Sequence, residues 1–386
     1  MPWRKPMSAK EALIFDVNDG VGVSEAAEAH RIGRSCAYKW VARYQEEGLA
    51  GLEERSRRPE RSPFRTPQEK VDALLNLKRQ HPDEGPAKLV DRLEILHGER
   101  MMAASTAGQI LDRHGEVKKR SPRRPSAGRI EHPPFEISGA GDTATTDYKG
   151  QFRMGNGALC YPLTMGDPFS RYVMLTKALG STQTDPAKAA FERAFREYGV
   201  PRQMVSDNGS PFCSTRSLGG LTQLSRWWIE LGITPIRIKP GRPDQNGIHE
   251  RMHRTFKQWI RRHPQANLVR HQRSFDDFRQ DFNHVRPHQS LGQKPPATAF
   301  RPYRPYPTRP VIEYDTNMDV RSVRSNGQIK WQGTEIFLSE VLIGTHVGLL
   351  QVAERIWSIH FGCVRIGYLD AENLKALNSK PVDQTE

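Results

Sequence analysis

Gln203-Met204-Val205-Ser206-Asp207-Asn208-Gly209-Ser210-Pro211 is a short apolar run that ends on an acid and then turns. Asn-Gly followed by Ser-Pro is turn chemistry, so the chain leaves a sheet there and Asp207 is expected at a strand's carboxyl end. Upstream, Ala144-Thr145-Thr146-Asp147-Tyr148 is rich in β-branched residues, and Gly155-Asn156-Gly157 beyond it marks a hairpin. Asp147 therefore reads as a strand residue. Downstream, Glu250 opens a segment in which Met252, Phe256, Trp259 and Ile260 recur at helical spacing. Carboxylates near strand ends lie where loops converge in open α/β sheets. Hard cations such as Mg²⁺ take oxygen ligands and keep several waters, so two or three carboxylates plus substrate phosphates suit them. Two such ions roughly 3.5 to 4 Å apart can serve phosphoryl transfer.

Each acid also has an ordinary reading. An Asp before Asn-Gly is commonly a turn residue, and Glu250 with Arg254 four positions on can be a surface pair. The order of elements favours the joint reading. Strands are expected at about 144–148, 158–165, 172–178, 203–206 and 234–238, and helices at about 186–198, 218–231 and 248–262. That succession is a mixed sheet with flanking helices. The rival acids fit less well. Glu230 lies beside Trp227, Trp228 and Leu231 in a packing pattern, while Asp142 and Asp167 sit in turn sequence.

Several motifs extend the pattern: Thr146-Asp147-Tyr148-Lys149-Gly150, Asp167-Pro168-Phe169-Ser170-Arg171-Tyr172, Ser206-Asp207-Asn208-Gly209-Ser210-Pro211-Phe212, Asn246-Gly247-Ile248-His249-Glu250-Arg251, and His284-Val285-Arg286-Pro287-His288-Gln289-Ser290-Leu291 with Pro295-Pro296-Ala297. On these, residues from about 135 to 300 resemble the catalytic core of DDE transposases of the bacterial insertion-sequence type, whose core is retroviral-integrase-like. The resemblance implies a ribonuclease-H-like α/β fold. It also implies Asp147, Asp207 and Glu250 as catalytic and metal-binding residues, two Mg²⁺ ions per site with Mn²⁺ as a substitute, and a basic residue seven places after the glutamate, here Lys257. The 42 residues between Asp207 and Glu250 make a longer gap than such enzymes usually show, and an insertion around 213–222 is the expected cause.

Charge points to a polyanionic partner. The chain holds 58 Lys and Arg against 44 Asp and Glu, a formal net charge of +14. Between Arg237 and Arg309 there are 16 Lys and Arg against five acids, so much of the excess surrounds Glu250. Arg254, Lys257 and Arg261 follow Glu250 on one helix face and are expected to track a DNA backbone. His249 and His253, which flank Glu250, read as phosphate contacts or packing residues rather than catalysts.

The 386 residues allow two to four domains. Residues 1–54 read as a helix-turn-helix DNA-binding domain: Ser24 caps a helix over 25–30, Gly33 serves the tight turn, and a second helix runs over 34–46. If that helix enters the major groove, Arg34, Ser35, Tyr38 and Lys39 face bases or phosphates, with Arg43 further along. Residues 55–65 and 118–134 are basic, proline-containing linkers. Between them, 66–117 form a second helical unit, a DNA binder or a spacer, with helices near 67–80, 86–96 and 105–114 and a cap at Ser105-Thr106. The core spans 135–300. Over 312–375, short β-like runs and the Asn326-Gly327 turn suggest a small all-β, barrel-like domain.

The four cysteines are scattered with no Cys-x-x-Cys pair, so neither a zinc site nor a disulfide framework is indicated and a reducing compartment is expected. No apolar stretch reaches the length of a membrane span and the amino terminus lacks a signal h-region, so a cytoplasmic, DNA-associated protein without a membrane partner is expected. The expected function is metal-dependent strand cleavage and strand transfer on double-stranded DNA, at transposon ends and target, by a homo-oligomer. The alternatives are a DNA-binding regulator with an inactive core, and a ribonuclease-H-like nuclease that cuts without joining.

Overall fold

The computed structural model describes residues 8–54, 65–117, 139–238, 246–310 and 312–379. The basic linkers expected at 55–65 and 118–134, Arg65 apart, and the loop at 241–245 lie outside the described residues. The chain divides after Thr66 into two units.

In the first unit, α1 (Ala9–Asn18) begins at a reciprocal cap. The Glu11 amide donates to Ser8 Oγ at 3.3 Å, and the Ser8 amide donates to Glu11 Oε2 at 2.7 Å. Helices α2 (Val23–Ala29) and α3 (Arg34–Glu47) pack on it through Leu13, Ala26, Ala27 and Ala37, with Ile14 and Val41 beside Leu52. Ser24 is not a cap: α2 starts at Val23 behind Gly22, and Ser24 lies inside its first turn. The left-handed turn residue is Arg31, at φ 56°, whereas Gly33 sits at φ −61° as the residue before α3. Glycine is accepted at helix starts as well as at positive φ, and here the first role applies.

The second unit opens with α4 (Gln68–Gln80), α5 (Pro86–His97) and α6 (Ala104–Arg113), packed around Leu74, Leu89, Val90, Leu93, Ala107 and Ile110. Pro86 at the first helical position and left-handed Gly98 after the last bound α5. The cap expected at Ser105-Thr106 is absent, because α6 already begins at Ala104 behind Ala103, which has no capping side chain.

Next comes the mixed sheet. Strand β1 (Thr143–Tyr148) lies between antiparallel β3 (Leu159–Gly166) and parallel β5 (Gln203–Ser206). The short β2 (Phe152–Arg153) and β4 (Val173–Leu179) pair antiparallel with β3, and β6 (Thr234–Arg237) pairs parallel with β5. Helices α7 (Thr184–Tyr198) and α8 (Gln223–Glu230) cover one face through Phe191, Phe195 and Trp228. Helices α9 (Gly247–Arg262) and α10 (Leu268–Gln280) cover the other through Met252, Phe256, Phe275 and Phe278. The single helix expected over 218–231 is broken. Gly219 and Gly220 take φ 61° and 64°, and α8 starts only at Gln223, where Thr222 and Ser225 cap each other.

Beyond the core, β7 (Asp319–Ser322), the hairpin β8 (Gln328–Trp331) and β9 (Thr334–Phe337), β10 (His346–Ala353), β11 (Ile356–Phe361), β12 (Val364–Asp370) and β13 (Lys375–Leu377) form antiparallel sheets. Five strands run in the order β13-β12-β11-β10-β7, and β8-β9 stand as a separate pair, so the described strands do not close into one hydrogen-bonded barrel. Leu218 and Leu221 pack into this β core with Ile229, Trp331, Leu349 and Ile366. A Cβ on Gly219 would lie 2.6 Å from the Ile366 carbonyl oxygen, so only glycine permits that approach.

A buried charge cluster ties the three-helix layer to the core. Arg92, 1% exposed, grips Glu84 at 2.9 and 3.1 Å and Asp281 at 2.5 Å, while Arg286 reaches Glu84 at 2.5 Å. Burial alone would raise the Glu84 carboxyl, but the Arg92 hydrogen bonds and the Arg286 and Arg92 charges outweigh it and hold the group at about 2. Removing one partner strands the others. Arg92→Met is expected to lower the free energy of unfolding by about 3–5 kcal/mol in urea titrations, and pairing it with Glu84→Gln to cost less than the sum of the two. Additive losses would show that the cluster does not act as a unit.

Candidate active site

The parallel register that pairs Thr145 with Val205 carries Asp147 and Asp207, each two residues on, to the same end of adjacent strands. Asp207 lies in the turn that leaves β5; its Oδ1 accepts the Gly209 amide at 3.0 Å, and Asn208 Nδ2 donates to the Ile238 carbonyl at 2.7 Å. Glu250 projects from the exposed first turn of α9. Burial first, then the charge of Asp207 and finally that of Glu250 push the Asp147 carboxyl up to about 7, against the Tyr148 amide and Lys149, which lower it. Asp147 thus feels both other acids. Among the described residues no three His, Cys, Asp or Glu side chains close into a ready-made metal cage. Asp147 and Asp207 at adjacent strand ends, with the Glu250 charge felt at Asp147, are oxygen donors of the kind a hard cation takes together with waters and substrate oxygens.

Behind the acids lies a hydrogen-bonded knot. Thr164 Oγ1 donates its one proton to the Asp147 carbonyl oxygen at 2.9 Å, so His249 Nε2 and His253 Nε2, at 2.8 and 2.7 Å, must both donate to Thr164. His249 Nδ1 is left to accept from Thr145 Oγ1 at 2.8 Å, and the bare His253 Nδ1 faces Asp147 Oδ2 at 3.5 Å. Burial holds His249 at about 3, and burial first, with the neighbouring His249 ring and the Lys149 ammonium, pushes His253 lower still, so both rings are neutral. They are 2% and 6% exposed, with both Nε2 atoms bound to Thr164, so of the two roles expected for them packing is the one they fill here. Sequence reading missed the knot because its members come from three separate elements. Lys149 was also passed over: it stands near Asp147, Glu250 and Lys257, and burial and the Lys257 charge lower its ammonium. Its place two residues after Asp147, on the same side of the chain, was the available signal.

Arg254, Lys257 and Arg261 are all exposed along α9 with Glu250, and none makes an ion pair to a described carboxylate. The rival acids are engaged elsewhere. Arg226 holds Glu230 at 2.8 Å, Asp167 accepts from Ser170 Oγ at 2.6 Å inside its turn, and Asp142 lies 3.7 Å from Arg202 Nε. In the first unit, Arg34, Ser35, Tyr38 and Lys39 form an exposed strip on α3, while Arg43 is half-buried over the Trp40 ring at 5.1 Å.

Residues 138–243 and 231–296 each match an integrase core domain, residues 9–60 a helix-turn-helix domain and residues 36–111 a homeodomain-like domain. The chain is similar to the insertion element IS476 uncharacterized 39.2 kDa protein of Xanthomonas euvesicatoria, 33% identical over 107 residues, 28% of this chain and 29% of that protein. It is also similar to the insertion element IS407 uncharacterized 31.7 kDa protein of Burkholderia multivorans, 29% identical over 109 residues, 28% of this chain and 37% of that one. These alignments span about a third of the relatives' own length. Similar solved structures include the HTLV-2 integrase catalytic core domain in complex with magnesium, 14% identical at TM-score 0.34 over 42% of this chain and 99% of that one. Another is the simian T-cell lymphotropic virus intasome in complex with PP2A regulatory subunit B56 gamma, 17% identical at TM-score 0.37 over 76% and 98%. By the family matches alone, an integrase core domain over 138–296 follows a helix-turn-helix domain over 9–60, in line with the motif resemblance to insertion-sequence transposases. Among the described residues no helix is long and apolar enough to cross a membrane.

The raised Asp147 group makes metal-free stability depend on pH. Its folded value near 7 exceeds the ordinary 3.8, so the fold binds this proton more tightly than the unfolded chain does. The stabilisation is fully present below about pH 4 and is lost as pH climbs towards 7, at up to about 1.4 kcal/mol per unit. In EDTA, urea unfolding between pH 4.5 and 7.5 should penalise the wild type more than Asp147→Asn by a few kcal/mol. Equal losses would mean that Asp147 does not titrate there.

Proposed function

We propose that this chain, an integrase core domain joined to helix-turn-helix segments, is a DNA transposase that cleaves at the ends of its element and joins them to target DNA. One observation carries the reading: Asp147 and Asp207 stand at adjacent strand ends, and both Asp207 and Glu250 raise the Asp147 carboxyl. The three carboxylates would hold two Mg²⁺ ions, with Mn²⁺ able to substitute; when bound, such ions stabilise charge on the attacking and leaving oxygens of a phosphoryl transfer.

The chain's own residues supply placement. Lys149, Arg254, Lys257 and Arg261 line one approach to the acids and neutralise successive phosphates of the strand. Water and then a DNA 3′-hydroxyl are the successive nucleophiles. No histidine serves as general base, since His249 and His253 are sealed and engaged. Arg34, Ser35, Tyr38 and Lys39 on α3, with Arg43 flanking, read the element's ends from the major groove. Joining two ends requires more than one copy, so the active form is a homo-oligomer on double-stranded DNA.

Labelled DNA carrying the element's ends, incubated with the purified chain in Mg²⁺ or Mn²⁺, should yield cleaved and joined products. Asp147→Asn, Asp207→Asn and Glu250→Gln should each abolish both while leaving end binding within about threefold of wild type, because cleavage rather than backbone contact needs these acids. Cleavage without joining would move the assignment to a nuclease. Binding without products in any protein would leave a DNA-binding regulator.

A further inference from the structure

Two sequence motifs have no part in the acid cluster, and the fold brings both to one cavity. The turn Asp167-Pro168-Phe169-Ser170-Arg171-Tyr172 between β3 and β4, and the segment Arg286-Pro287-His288-Gln289-Ser290, join α5 and α9 in enclosing about 440 Å³. That volume suits a small ligand. From α9 it takes Ile248, His249, Arg251, Met252 and Thr255, and Thr145 backs it from β1, whereas Glu250, Arg254 and Lys257 are not in its lining.

The cavity's charge is one-sided. Lys88, Arg171, Arg251 and Arg286 line it, and its one carboxylate, Asp167, is occupied by Ser170 Oγ and the Phe169 amide. Arg286 is matched by Glu84, but Lys88, Arg171 and Arg251 make no ion pair with a described carboxylate. Arg171 and Arg251 are close enough to repel each other. Arg171 also holds φ 65°, a backbone conformation that costs an L-residue and that glycine would adopt freely. Beside Lys88, Arg171 and Arg286, His288 Nε2 is buried without a hydrogen-bond partner. Unmatched guanidinium forks and an orphaned ring nitrogen around one space complement a tetrahedral oxyanion.

We propose that this cavity binds a phosphate group of the DNA backbone, gripped by Arg171 and Arg251 and flanked by Lys88 and His288, as a contact separate from the acid cluster. The DNA source rests on the transposase reading; the phosphate chemistry rests on the cavity alone.

The test uses the full chain, Arg171→Gly, Arg251→Gln and the double variant, with two measurements. Duplex binding is followed by fluorescence anisotropy over a range of KCl concentrations in EDTA, and inorganic pyrophosphate is titrated by calorimetry. The double variant should weaken duplex binding about tenfold and flatten the log K against log salt slope by about 1, the loss of one phosphate contact. Arg171→Gly should do part of this without lowering Tm, because glycine suits that backbone, so the loss is not one of folding. An unchanged slope together with pyrophosphate heat that disappears in the double variant overturns the DNA source and leaves a site for free phosphate compounds. An unchanged slope with no such heat overturns the site. If the wild type binds no duplex at all, the transposase reading fails, and the pyrophosphate titration alone decides the cavity.

Discussion

One threonine hydroxyl that takes two histidine N–H groups holds the candidate site together. Thr164 belongs to β3, it donates to the backbone of β1 beside Asp147, and it receives His249 and His253 from α9. Glu250 follows His249 directly, so the knot that locks the helix on the sheet also sets where that carboxylate stands. A buried imidazole is tolerable when its polar atoms are hydrogen-bonded and the ring stays neutral; both His249 nitrogens and His253 Nε2 are bonded here, and both rings are neutral. A charged ring would instead compete for Asp147 as an ion pair. Neutral rings fix geometry and leave the carboxylate charge uncompensated.

That uncompensated charge is the counterpart of the basic excess around it. The Asp207 and Glu250 charges raise the cost of ionising Asp147, while Lys149 and Lys257 stand nearby without forming an ion pair with any of the three. A fold selected only for stability would bring these opposite charges together. Contrast the cluster of Arg92, Glu84, Asp281 and Arg286, where two acids and two bases are matched and buried and serve to dock one layer on another. Matched charge marks structure in this molecule, and unmatched charge marks the surfaces where a polyanion and a cation would complete the balance.

Local chemistry was legible in the sequence wherever one element carried it. The β-branched run at Asp147, the Asn-Gly turn after Asp207 and the helical recurrence of Met252 and Phe256 each signal through a period or a turn preference. The partnership of Thr164 with His249 and His253 was not legible, because it joins residues 85 and 89 positions apart whose neighbours show no pattern. Competing local signals misled elsewhere. Gly33 drew the turn assignment because glycine favours positive φ, yet Arg31 adopts it; the Ser8 and Glu11 capping box was present but unused; and apolar spacing across Gly219 and Gly220 hid a break that backbone freedom imposes.

The long gap between Asp207 and Glu250 then has a physical account. A loop insertion is cheap when it only adds exposed chain, since closure entropy grows slowly with length. This one does more than extend the surface. Leu218 and Leu221 enter the core of the C-terminal sheets, Gly219 presses against the Ile366 backbone, and Ser217 lies 3.0 Å from Ser339 Oγ. From the adjacent α8, Arg226 Nη1 donates to the Val341 carbonyl at 2.8 Å. Residues that lengthen the spacing between two of the acids are therefore the ones that seat the following β domain. Helix α8 thus contributes to both cores, with Trp228 in the one beneath the mixed sheet and Ile229 in that of the C-terminal sheets. The stretch between the two acids where an insertion is expected is thus also where the β domain packs on the core.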